Sequence, residues 1–210
     1  QEFINLLTTN LTNFYREPKQ IHFMSQTVVP NFLKTYDDKP FMVWSAASST
    51  GEEPYTIALA LAKIRMSNLS FNFRVLASDI DTQVLQVAEE GIYDTDKVHG
   101  VVPVDLMHKY FLRGKGSYQN SYKISDELKA YIKFRRFNLI TDDWPVRFQA
   151  DMIFIRNVLI YFDPETVRSV VHKLVNYLKP GGYLCLGVSE SIQGTHPKLE
   201  IVGEEKKKKK

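Results

Sequence analysis

Three short stretches carry residue types that do chemistry, and each sits where an apolar run ends. The first is the turn Gly51-Glu52-Glu53, which joins the apolar run "FMVWSA" (residues 41–46) to the helix-forming stretch "EEPYTIALALAKI" (52–64). The second is Asp79, at the end of "FRVLASDID" (73–81), and the third is Arg156-Asn157, at the end of "DMIFIRN" (151–157). A strand, a glycine and a helix in succession form the usual seat of a nucleotide cofactor, with a phosphate resting on the helix N-terminus. Here the loop "SAASSTGEEP" has no G-x-G-x-x-G spacing, and two carboxylates occupy the first helical turn. Negative charge at that position repels a pyrophosphate. Asp79 lies 28 residues after Gly51, where an acid commonly accepts hydrogen bonds from ribose hydroxyls. The competing reading is that Asp79, or Asp81, only caps the following helix.

The ligand that suits such a turn has an adenosine, no phosphate and positive charge. S-adenosylmethionine meets all three conditions, with its sulfonium and its ammonium. A carboxylate near the helix start holds the ammonium or lies near the sulfonium. A nicotinamide cofactor is disfavoured on the same electrostatic ground. The plainer alternative is that Glu52 and Glu53 merely complement the helix dipole, an effect of about 0.3–1 kcal/mol each.

The elements that must position these residues follow from periodicity. "IHFMSQTVVPNFLKTY" (21–36) has helical spacing, with Pro30 expected to bend or split it. "TQVLQVAEEGIY" (82–93) is a helix stopped near Gly91, and "PETVRSVVHKLVNYLK" (164–179) is a second, followed by the turn "PGG" and the strand "YLCLGVSE". "KLEIV" (198–202) reads as an edge strand. Residues 105–137 break the alternation with short strands, "KYFLRG", "SYKIS" and "AYIKFRRFNLI", and are expected to form an inserted β-subdomain. Strand–helix alternation elsewhere implies an α/β, doubly wound, mostly parallel sheet, with ligands at the carboxyl ends of its strands. Residues 1–38 are expected to be a linker and helices covering that site, and 39–205 the main domain.

Composition narrows the function classes. Of 210 residues, 27 are basic and 24 acidic, but the last five, Lys206 to Lys210, are all lysine. Without them 22 basic residues face 24 acidic ones, so nothing suggests nucleic-acid binding. The lysine block itself reads as a disordered tail. No apolar stretch approaches the roughly 20 residues of a membrane span. The single cysteine, Cys185, excludes an internal disulfide and fits a reducing, cytoplasmic setting. The five histidines have no metal-ligand spacing, so no metal is expected.

Taken in order, "TTNLTNFYRE", "WSAASSTGEEPYTIALALA", "ASDID", "FNLI", "FIRNVLIYFD" and "LKPGGYLCLGVSES" resemble the chemotaxis protein-glutamate O-methyltransferases, the CheR family. The resemblance runs from about residue 5 to 192. It implies a Rossmann-like S-adenosylmethionine-dependent methyltransferase fold, esterification of glutamate side chains on bacterial chemoreceptors, and S-adenosylhomocysteine as product. It further implies that Asn10, Thr12 and Arg16 belong to a segment folded over the cofactor, and that Glu53 rather than Glu52 is the cofactor carboxylate. By the same resemblance Asp79 is the ribose acid, Asn138 and Leu139 flank the adenine, Arg156 and Asn157 line the site, and Tyr161 lies near the transferred methyl. Arg16 and Tyr161 are the expected catalytic pair, steering the substrate carboxylate and placing the methyl. A carboxylate nucleophile is already ionised at neutral pH, so no general base is needed. The expected partners are the receptor's cytoplasmic helices and, in some members, a receptor C-terminal peptide added to an edge of the β insert. The sequence starts near the family's linker, so it is expected to be either a fragment or a member without the helical N-terminal domain usual in the family. Two other readings remain: a methyltransferase of the same fold acting on a small carboxylate or nitrogen, and a non-catalytic cofactor-binding sensor or adaptor.

Overall fold

The computed structural model describes residues 12–35, 39–141, 144, 148–192, 194–203 and 206–210. After a short irregular segment the chain forms α1 (Lys19–Phe23), a π-helical turn (Met24–Val28) and α2 (Val29–Lys34). Pro30 has no N–H to donate back along the helix. The register break at the preceding π turn, with Pro30 in the first turn of α2, is the expected split.

Next come β1 (Phe41–Ala46), α3 (Glu52–Ser67), β2 (Phe73–Asp79) and α4 (Thr82–Glu90). The Asp81 carboxylate accepts from the Gln83 and Val84 N–H groups at the start of α4, and Gly91, at φ 60°, closes its end. Helix capping therefore falls to Asp81 and not to Asp79. A smaller group follows: β3 (Ile92–Asp94), α5 (Thr95–Val98), α6 (Val104–Tyr110), β4 (Phe111–Arg113), β5 (Ser121–Ile124) and α7 (Asp126–Lys129). The chain ends with β6 (Ile132–Arg136), β7 (Ala150–Ile155), α8 (Pro164–Tyr177), β8 (Leu178–Leu186), β9 (Leu199–Gly203) and β10 (Lys206–Lys209).

Seven strands form one sheet in the order β6-β2-β1-β7-β8-β10-β9, parallel from β6 to β8 and antiparallel beyond. Side chains alternate across it as a period of two requires. Val43, Phe73 and Val75 face a core beneath α3 with Ile57 and Leu61, while Trp44, Leu76 and Ile153 face a second core with Val170 and Leu174 of α8. Strand order reverses between β1 and β7, and in such sheets the crevice at the carboxyl ends of the reversing strands is where ligands bind.

Two sequence expectations need correction. The inserted subdomain does not run from 105 to 137: the separate three-stranded antiparallel sheet is β3-β5-β4, so it begins earlier, and β6 is instead the parallel edge of the main sheet beside β2. The final lysines are not a disordered tail. They form β10, inserted between β8 and the edge strand β9, where the Lys209 ammonium donates to the Val175 and Leu178 carbonyls at the end of α8. The aliphatic lysine stems and backbone pairing with both neighbours, broken by a register shift between Lys206 and Lys207 on the β9 side, offset the repulsion between like charges there. The "KLEIV" stretch is an edge strand, as its pattern suggests.

Candidate cofactor site

At the carboxyl ends of β1, β2 and β7 lies a cavity of about 590 Å³, within the range of small-molecule sites. Its floor is the β1–α3 loop. Ala47 (φ 84°) and Ser49 (φ 48°) adopt left-handed backbone that side chains disfavour, and Gly51 (φ 97°) follows. The loop is held by Ala47 and Ser48 N–H groups, both 2.8 Å from the Ser78 carbonyl. Gly51 has a second reason to lack a side chain: a Cβ there would stand 2.8 Å from both the Ala88 methyl and the Tyr93 hydroxyl.

The two glutamates of the turn diverge. Glu52 is fully buried and faces away from the cavity, meeting Lys97 Nζ of α5 at 2.5 Å and the Thr50 hydroxyl at 2.6 Å. Glu53 lines the cavity; its Oε1 accepts from the Ser45 hydroxyl at 2.7 Å and its Oε2 from Arg156 Nη1 at 2.8 Å. The Arg156 guanidinium is buried, and its Nη2 donates to the Arg16 carbonyl (2.8 Å) and to Glu17 Oε2 (2.9 Å). Burial alone would lower the pKa of Arg156, but Glu53 and Glu17 outweigh it and push it up. Glu17 is likewise partly desolvated, yet hydrogen bonding and attraction to Arg156 hold its carboxyl below the ordinary value.

Asp79 closes the opposite side. Its Oδ2 accepts from the Ser49 N–H at 2.8 Å and its Oδ1 from the Asp81 N–H at 3.0 Å. Burial raises its pKa; the Asp81, Ser49 and Ile80 N–H groups work against that shift and the Asp81 charge adds to it. Beyond Asp79 the lining turns apolar, with Phe137, Leu139 and Ile140 after β6 and Val158 and Phe162 after β7. Asn138 turns its side-chain oxygen to the Ile140 N–H at 3.0 Å, which fixes this loop beside the cavity.

Of the residues singled out in the sequence, Thr12, Arg16, Glu53, Asp79, Asn138, Leu139, Arg156, Asn157 and Tyr161 all line this one cavity. Asn10 lies outside the described residues. Tyr161 is 57% exposed, at the mouth, in a short 3-10 turn (Leu159–Tyr161). Besides Glu17, sequence reasoning missed two supporting groups. One is Ser45, which orients Glu53. The other is Glu190, whose buried carboxylate accepts from four backbone N–H groups, those of Asn157, Val158, Leu159 and Gly187, at 2.7–2.9 Å. That cluster holds Asn157 in its left-handed conformation (φ 58°) and sets the turn bearing Tyr161. Nothing in "GVSES" marks a glutamate as a buried acceptor.

The donor set suits S-adenosylmethionine. One side of the cavity presents the Glu53 carboxylate beside the Arg156 guanidinium, the opposite side Asp79, and the lining beyond it apolar chains. Two buried polar atoms in its lining, Ser48 Oγ and Arg156 Nε, have no partner among the described residues and remain to be satisfied.

Comparisons with known proteins agree with this geometry. The family model for the CheR methyltransferase, SAM binding domain, matches residues 10–208. Chemotaxis protein methyltransferase of Klebsiella aerogenes is 43% identical over 194 residues, which cover 91% of this chain and 63% of that protein. The Escherichia coli protein of the same name is 39% identical over 97% of this chain and 68% of its own length. Chemotaxis protein methyltransferase 2 of Pseudomonas aeruginosa is 36% identical, over 97% and 71%. The chain thus spans about two thirds of the length of these relatives. A crystal structure of DszA carbon methyltransferase superposes with a TM-score of 0.50 at 12% identity, over 82% of this chain and 36% of that one, a likeness of fold alone.

Proposed function

Because the chain belongs to the CheR methyltransferase family, we propose that it transfers the methyl group of S-adenosylmethionine to glutamate side chains of bacterial chemoreceptors, leaving methyl esters and S-adenosylhomocysteine. The observation that carries this reading is the convergence of Glu53 and Asp79 on one cavity with an apolar far wall, at the switch in strand order. Asp79 accepts the ribose hydroxyls. Glu53 accepts the ammonium; each of its oxygens holds one donor already, and an ionised carboxylate has about four acceptor positions. Asn138 and Leu139 flank the adenine, and Arg156 and Asn157 form the wall beneath. Asn10 and Thr12 belong to the covering segment.

When bound, S-adenosylmethionine supplies a sulfonium methyl that an ionised carboxylate displaces directly, the C–S electron pair leaving with sulfur. The protein's part is alignment and exclusion of water. Arg16 on the rim steers the acceptor carboxylate, and Tyr161 at the mouth places the methyl. The acceptor helices come from the receptor's cytoplasmic part, and the edges of the β3-β5-β4 sheet accept a receptor C-terminal peptide. No described helix is long and apolar enough to cross a membrane, and the reading places the protein in the cytoplasm.

Transfer of labelled methyl from S-adenosylmethionine to purified receptor cytoplasmic fragments tests the reading. Label released by mild alkali is expected, since esters hydrolyse there. Alkali-stable label would move the reaction to nitrogen. Tight binding of S-adenosylhomocysteine with no transfer to any acceptor would favour a cofactor-sensing domain instead.

A further inference from the structure

The Glu53–Arg156 pair raises a difficulty. A guanidinium already neutralises the carboxylate that is meant to attract the cofactor ammonium. The structure resolves it through a residue outside the expected set. We infer that Glu17 is a positioning residue for the ammonium group at the zwitterionic amino-acid end of the cofactor, acting through Arg156. This rests on the assignment of the cavity to S-adenosylmethionine.

Two carboxylates, Glu53 and Glu17, share the one Arg156 guanidinium at 2.8 and 2.9 Å. All three side chains are mostly withdrawn from water, with exposures of 13%, 19% and 4% respectively. The trio therefore carries one net negative charge in a region of weak screening. Glu53 and Arg156 alone would form an electrically neutral pair. Adding Glu17 restores the excess charge that a bound ammonium requires. Arg16 also bears on Glu17, but its side chain lies on the exposed rim, where water weakens its field.

The backbone supports the same role. Tyr15 (φ 53°) and Glu17 (φ 51°) flank Arg16 in left-handed conformations that neither residue favours. Such a path persists only when its surroundings hold it. Here the Arg16 carbonyl and the Glu17 carboxylate are both held by Arg156, the Tyr15 N–H donates to the Thr56 hydroxyl, and Phe14 is wedged against Tyr93 and Phe111. Glu17 thus sits where the covering segment, the end of β7 and the α3 glutamate meet.

A ligand pair separates charge from scaffolding. S-adenosylhomocysteine carries the ammonium; 5′-methylthioadenosine keeps the adenosine and thioether but has no amino-acid end. Affinities of both, measured by calorimetry with competition for the weaker ligand, are compared for the wild type, Glu17→Gln and Glu17→Ala. The expected result is a loss of about tenfold or more for S-adenosylhomocysteine in Glu17→Gln, with methylthioadenosine within twofold of wild type. Equal weakening of both ligands would show that Glu17 only props the covering segment and would overturn the inference, as would an unchanged S-adenosylhomocysteine affinity. Glu17→Gln keeps a hydrogen-bond acceptor for Arg156, so its folding is safeguarded where Glu17→Ala is not. Failure of the wild type to bind S-adenosylhomocysteine at all would strike the cofactor assignment itself.

Discussion

The two sides of the cavity are built on opposite principles. On the side of β1, α3 and the covering segment, Ser45, Glu53, Arg156 and Glu17 form a chain of charged hydrogen bonds with almost every group committed. On the side of β6 and the turn after β7, Phe137, Leu139, Ile140, Val158 and Phe162 offer carbon surfaces, and the polar groups there serve mainly to fix the loops. The charged side gives orientation at a steep cost if one member is lost, because each partner is buried. The apolar side gives affinity that degrades gradually with area. A cofactor with a zwitterionic end and a flat adenine end needs both.

This contrast makes graded predictions. Arg156→Met should have the largest effect. It leaves Glu53 and Glu17 unpaired in a mostly buried site, and should lower the unfolding free energy in urea at pH 7 by about 3–5 kcal/mol. A loss below about 1 kcal/mol would mean that the charged side is as forgiving as the apolar one. Asp79→Ala removes a charged acceptor without orphaning a cation. It should weaken S-adenosylhomocysteine binding by roughly 100-fold in calorimetry, in line with about 1.5–3 kcal/mol for hydrogen bonds to charged groups. Leu139→Ala should cost only about fivefold in the same titration, about 1 kcal/mol of lost apolar contact. Should it match Asp79→Ala, the division between the two sides fails.

The smallest effect is a pH dependence with opposite signs at two acids. Burial raises the Asp79 pKa, so the folded state takes up its proton at a higher pH than the unfolded chain does. Asp79 therefore opposes folding at neutral pH, and that opposition is relieved as pH falls through its folded pKa. Glu17, held below its ordinary value despite partial burial, behaves in reverse: its contribution is present above the unfolded pKa and lost as pH falls through the folded one. Cofactor affinity should decline on acidification from a higher pH than an ordinary aspartate would give, and Asp79→Asn should flatten that early part of the profile. A binding profile unchanged by Asp79→Asn would remove Asp79 from the cofactor's contacts.

The acidic turn, Asp79, Arg156 and Asn157 were legible in the residues because chemistry-bearing types cluster at strand ends, and strand ends can be read from where apolar runs stop. The acidic turn after Gly51 is the clearest case. Thr12, Arg16, Asn138, Leu139 and Tyr161 came from the family resemblance alone. Choosing Glu53 over Glu52 was beyond local pattern, since both occupy the same helical turn. What separates them is Lys97, which arrives from α5 and claims Glu52. The misplacement of β6 has a related cause. An exposed edge strand reads "IKFRR" whether it pairs parallel with β2 or antiparallel in a hairpin, and pairing direction is decided by the distant partner. The lysine strand β10 defied composition because its partners, β8 and β9, supply the order that its own side chains oppose. Glu17 and Glu190 were invisible for the same reason, as their donors lie 139 and 31–33 residues away or across a loop.

Those separations govern when the site comes into being. The bonds that close it join residues 103 and 140 positions apart, and the one anchoring Gln20 to the Leu186 carbonyl spans 166. Loops of that length close late in folding, after local helices and neighbouring strands have formed. Residues 45–79 hold Glu53 and Asp79 within one short stretch, but the Arg156 and Arg16 side of the cavity is completed only by those long closures, so a ligand that uses both sides recognises the finished molecule. Its binding free energy then adds to the unfolding of the entire domain. A melting-temperature rise with S-adenosylhomocysteine consequently reports the closure between the segment around Arg16 and Gln20 and the distant strands β7 and β8 as well as the state of the pocket.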